Sequence, residues 1–141
     1  MAFSDDGVSY FYASGRSNLA DQTMVALYGR KFDTKQRFLD EFTKGHYLVD
    51  MAKCPINRLR TPAEKKAKKK ALISCAKYLN EELGAMNFKR VVFIEKKSFG
   101  TIEGQLDLRH LNYAVIPLPF RSKKNIDAYR RGLRKAVRSS N

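Results

Sequence analysis

The chain has 141 residues, 43% hydrophobic and 11% aromatic, with two cysteines and a formal net charge of +14. That length and apolar content suit one domain, 1–141, with a single core, and they exclude a disordered polar segment. No apolar run approaches the roughly 20 residues of a membrane span, two cysteines are too few for a disulfide scaffold, and the acidic start Met1-Ala2-Phe3-Ser4-Asp5-Asp6 lacks the apolar stretch of a secretory signal, so a reducing cytoplasm is the expected compartment.

The charge is unevenly placed. From Arg58 to Lys77 there are eight Lys/Arg against Glu64, and from Arg121 to Asn141 eight more against Asp127, a net +7 in each block. The remaining residues hold 12 basic and 12 acidic side chains and balance. Two basic blocks on a neutral background point to a polyanionic partner, most simply nucleic acid, although lysine-rich helix faces also serve solubility.

In chain order, Tyr10-Phe11-Tyr12 comes first. Its rings either stack on a base or pin the N-terminus by packing. Residues 18–29 read as a helix with Asn18 as N-cap and Gly29 as its stop, and 34–43 as a second helix capped by Thr34, with Phe38, Leu39 and Phe42 on its core face. Tyr47-Leu48-Val49 then reads as a short buried strand with a polar exit from Asp50 to Asn57, where Pro55 ends any ladder. Thr61-Pro62-Ala63-Glu64 is a capping box that opens a helix to about Gly84. Its buried stripe is Ala71, Leu72, Cys75, Ala76, Leu79 and Leu83, and its first turns carry Lys65, Lys66, Lys68, Lys69 and Lys70. Residues 89–94 form the clearest strand. A loop or helix start at 98–104 and a helix over 105–111 follow. Residues 112–117 form a third strand, Pro117–Asn125 a rigid basic loop, and Asn125 caps a last helix with the stripe Ile126, Tyr129, Leu133 and Val137.

Strands alternating with helices predict an α/β fold, a three-layer α/β/α domain with a parallel central sheet and right-handed crossovers. Both basic blocks start just past a strand's carboxyl end, which puts them on one edge of that sheet. Ligands of open α/β sheets bind there.

Taken together, Leu48-Val49-Asp50-Met51-Ala52-Lys53-Cys54-Pro55-Ile56-Asn57-Arg58, Thr61-Pro62-Ala63-Glu64 and Pro117-Leu118-Pro119 resemble the uracil-DNA glycosylase superfamily, in particular its iron–sulfur branch. The resemblance implies base excision: a base flipped from the duplex, stacked on an aromatic ring, and its N-glycosidic bond broken. It implies DNA as partner. Phosphates would be contacted by Lys53, Asn57, Arg58, Lys65, Lys66, Lys69, Arg121, Lys123, Lys124, Asn125, Arg130 and Arg134. Pro117, Leu118, Pro119 and Phe120 would form a groove wedge, Tyr10, Phe11 and Tyr12 a stacking platform, and Asp50 the one carboxylate placed for chemistry. Several family features differ here. No Gly-x-x-Pro loop stands before Tyr10, Ile116 occupies the place of the usual histidine, and the first pair of cluster cysteines is absent. No cofactor is therefore expected, Cys54 and Cys75 being at most the remnant of an iron–sulfur site. Three functions follow as expectations: a DNA-binding domain linked to base-excision repair without proven catalysis, an active DNA N-glycosylase, or a scaffold completed by a partner chain.

Overall fold

The computed structural model describes residues 18–49, 61–120 and 122–138. Among them are five α-helices and two strands: α1 (Asn18–Tyr28), α2 (Lys35–Phe42), α3 (Pro62–Ala85), β1 (Val91–Ile94), α4 (Lys96–Ile102), β2 (Tyr113–Ile116) and α5 (Lys123–Arg138), with a 3-10 turn at Glu103–Gln105. The fold is mixed helix and strand, built on a two-stranded parallel sheet. No described helix is long and apolar enough to cross a membrane.

Local signals set most boundaries. Gly29 adopts φ +74 and donates its N–H to the Val25 carbonyl, the left-handed stop that glycine favours after a helix. Thr34 accepts from the Arg37 N–H at the start of α2. Thr61 and Glu64 close a reciprocal capping box at the start of α3, so two otherwise unpaired N–H groups are satisfied. The predicted stripe of α3 is buried at Leu72, Cys75, Ala76, Leu79 and Leu83.

The two strands run parallel, with Val91 opposite Tyr113 and Ile94 opposite Ile116. Their side chains alternate in destination, as the period of two requires. Val91, Phe93, Tyr113 and Val115 join the cluster made by Leu72, Leu79 and Leu83 of α3 with Phe99 and Ile102 of α4. Val92, Ile94 and Ile116 join Ala26 of α1 and Tyr129 and Leu133 of α5. A third cluster joins Ala20 and Met24 of α1 to Phe32, Phe38 and Phe42.

Helix α5 is seated by two features. A Cβ on Gly132 would stand 2.6 Å from Ile116 Cγ2, so only glycine lets the helix backbone lie this close to β2. Tyr129, 1% exposed, meets the Thr23 hydroxyl at 2.6 Å and ties α5 to α1. Thr23 donates to the Leu19 carbonyl, so the phenol is the donor to Thr23. Burial pushes the Tyr129 phenol up to about 12.

Three sequence expectations are corrected. Residues 46–49 form no strand; the turn after α2 runs into His46, whose N–H bonds the Phe42 carbonyl. The apolar run is then used by side-chain packing: Leu48 and Val49 rest on two core clusters, while Tyr47 is 62% exposed and stacks beside Phe88. Residues 106–111 are not helical. Asn80 of α3 donates to the Gln105 carbonyl and accepts from the Asp107 N–H, and Asp107 accepts from the Arg109 N–H, so side chains take the groups a helix would have paired. The cap of α5 is Ser122, which accepts from the Asn125 N–H; the Asn125 side chain instead donates to the Phe120 carbonyl.

Two stability measurements test this seating. Gly132→Ala adds helix propensity worth about 1 kcal/mol but forces overpacking worth about 1–3 kcal/mol, so a net loss of about 1 kcal/mol is expected in urea melts. Tyr129→Phe should cost about 1 kcal/mol at neutral pH by leaving Thr23 without its donor. The folded protein holds the Tyr129 proton above the ordinary value of 10.0, so the unfolded chain loses it first and native stability falls as pH rises from 10 towards 12. The advantage of the native protein over Tyr129→Phe should therefore disappear across that window, read from melts at pH 8 and pH 11.

Candidate functional site

A parallel pair delivers both strand exits to the same edge. From β1 the chain continues into Glu95, Lys96 and Lys97, and from β2 into Pro117, Leu118 and Phe120. The first turns of α3 lie across these exits. Together they enclose a cleft of about 790 Å3 lined by Lys65, Lys68 and Lys69 of α3, by Glu95, Lys96, Lys97, Ser98 and Thr101, and by Pro117, Leu118, Phe120 and Asn125. Five lysines and one glutamate give its wall a formal charge of +4. Lys65 and Lys69 share a face one turn apart on α3, as their i,i+4 spacing requires.

Glu95 is the exception in sign and in backbone. Its φ of 84 makes it the only non-glycine residue with positive φ among the described residues. Such a conformation costs of order 1–3 kcal/mol and persists only when the surroundings impose it. Here two main-chain bonds do so: Glu95 N–H to the Ile116 carbonyl at 2.9 Å, and Phe99 N–H to the Glu95 carbonyl at 3.2 Å. The side chain turns into the cleft, where Oε1 lies 3.7 Å from Lys68 Nζ with both groups about one-third exposed.

A second cavity of about 570 Å3 lies between α1, α5 and β1. Its walls include Leu19, Leu27, Phe42, Val92, Leu133 and Val137, and the hydroxyls of Thr23 and Tyr129 on that wall are bonded to each other. The convergent charge is in the lysine cleft.

The structure sorts the predicted contacts. Lys65, Lys69, Pro117, Leu118 and Asn125 meet in the cleft. Lys66, Lys123 and Lys124 are exposed and lie outside its wall. Arg134 lines a shallow outer groove of α5 with Arg131, Lys135 and Arg138. Arg130 is half-buried and donates Nε to Gln22 Oε1 at 2.7 Å, joining α5 to α1. Pro119 cannot act as a wedge because it is fully buried, its carbonyl held by Asn18 Nδ2 at 2.7 Å. Phe120, 38% exposed, is the ring of that loop which reaches solvent. Cys75 is buried in the α3 stripe. Tyr10, Phe11, Tyr12, Asp50, Lys53, Cys54, Asn57, Arg58 and Arg121 lie outside the described residues.

Sequence reasoning missed Lys96, Lys97 and Glu95. The signal was present: they follow the strand at 89–94 directly, and the strand-exit argument applied to the other segments applies equally to them.

Comparison of the chain with protein-family models, with curated proteins and with solved structures finds no match.

Proposed function

We propose that this chain is a DNA-binding domain of uracil-DNA glycosylase-like organisation, a three-layer α/β/α domain acting in the cytoplasm, whose lysine cleft grips the phosphate backbone. The observation that carries the reading is convergence. Lysines from α3 and from the exit of β1, distant in sequence, line one cleft at the carboxyl ends of parallel strands. Unliganded, such a cluster repels itself, and lysines at the amino end of α3 also oppose that helix's dipole. Phosphates relieve both costs. Phe120 beside the cleft supplies a ring that can rest against sugar or base. Helices packed on both faces of the strand pair supply the rigid frame. The α5 groove at Arg131, Arg134 and Arg138 extends the positive surface. In this reading base excision would depend on Asp50 and on the Tyr10–Tyr12 rings.

Duplex binding, followed by fluorescence anisotropy, should weaken steeply with salt. Engagement of four cleft lysines, Lys65, Lys69, Lys96 and Lys97, predicts a log–log slope of about −3.6, a loss of roughly 150-fold between about 50 and 200 mM salt. Lys65→Ala and Lys69→Ala should each reduce the slope by about one, and Lys66→Ala should leave it unchanged. Affinity insensitive to salt over that range would sink the reading. Incubation with uracil-containing duplex followed by alkali separates binding from excision: strand scission assigns the enzyme, and an intact strand on a fully bound protein assigns the binding domain.

A further inference from the structure

We propose that Glu95 is a tethered anion that keeps small phosphate ions out of the lysine cleft and reserves it for polyanions. The inference rests on the reading of the cleft as a phosphate-binding site and concerns what that site rejects.

The cleft wall has one carboxylate among five lysines. It is placed there by a backbone conformation that glycine would adopt at lower cost, held at both ends by main-chain bonds. Its partner, Lys68, is the partly buried lysine on the α3 side of the cleft, whereas Lys65 and Lys69 are exposed. Glu95 thus occupies the inner part of the cleft and leaves the rim lysines to solvent.

A tethered carboxylate competes with an effective concentration in the millimolar range or above. A free phosphate or pyrophosphate must displace it from Lys68, and then sits beside the charge it displaced. Cellular small phosphates at lower concentration lose that competition. A duplex does not depend on Lys68. Its successive phosphates engage Lys65, Lys69, Lys96 and Lys97 together, and that multivalency outweighs one adjacent carboxylate. The acidic residue therefore weakens small anions more than it weakens polymers, which makes it a specificity residue.

The test is direct calorimetric titration with inorganic pyrophosphate, which does not rely on DNA binding. Glu95→Gln, nearly isosteric and uncharged, should tighten pyrophosphate about tenfold, while duplex affinity rises about threefold or less. Glu95→Gly, suited to the positive φ, should show the same gain in a protein at least as easily folded. Lys68→Met in the Glu95→Gln background should remove most of the gain, because Lys68 is the group being contested. Glu103→Gln, on an exposed turn outside the cleft, should change nothing. Pyrophosphate affinity within twofold of the native value in both Glu95 variants overturns the proposal, as does an equal gain for pyrophosphate and duplex. Failure of the native protein to bind duplex would overturn the DNA reading instead, and the assignment of Glu95 would still be decided by the pyrophosphate titration.

Discussion

The hydrogen bond from Glu95 N–H to the Ile116 carbonyl is the last rung of the β1–β2 ladder, and the lysine cleft depends on it. Because the strands are parallel, closing this rung brings two strand exits side by side. Residues 95–97 and 117–120, distant in sequence, then share one wall. An antiparallel pair would have sent one exit to the opposite edge and divided the cationic side chains between two surfaces. The same rung holds Glu95 in its positive-φ conformation. Pairing, strain and charge placement are thus consequences of a single register.

That register is itself enforced by packing. Gly132 lets α5 lie directly on Ile116, the last residue of β2, and the Tyr129–Thr23 bond holds α5 to α1. Arg130, bonded to Gln22, adds a polar tie across the same helix pair. A residue that reads as a phosphate contact therefore serves as a strut. Arg130, Arg134 and Arg138 follow one stripe of α5 at i, i+4 and i+8; Arg130 stands at the turn that meets Gln22 of α1, and Arg134 and Arg138 line the outer groove.

The opposing charges in the cleft explain one another. Lysines grouped at the start of α3 repel each other and oppose the helix dipole, and the Glu95 carboxylate offsets part of that cost at Lys68. With both partners about one-third exposed, the pair is modest in strength.

Where chemistry acts within a turn or so, the sequence alone was sufficient. The Thr61–Glu64 box, the Thr34 cap, the Gly29 stop, the α3 stripe and both described strands follow from side chains reaching their own backbone or repeating at the helical or strand period. The expectation that both basic segments meet at the carboxyl edge holds for the first alone: Lys65 and Lys69 reach the loop after β2 there, whereas Lys123, Lys124 and Arg134 lie outside the cleft. What the tertiary structure decided lay beyond that range. Tyr47-Leu48-Val49 has strand composition, but a ladder needs a partner edge, and the Leu48 and Val49 side chains were taken up by two core clusters. Residues 106–111 met Asn80 from another helix. Pro119 was buried and Glu95 twisted into the cleft by contacts with residues far away in the chain. Composition placed positive charge on this protein. Only the register of distant segments decided which lysines share a cleft and which carboxylate stands among them, because that depends on long-range contacts no local pattern encodes.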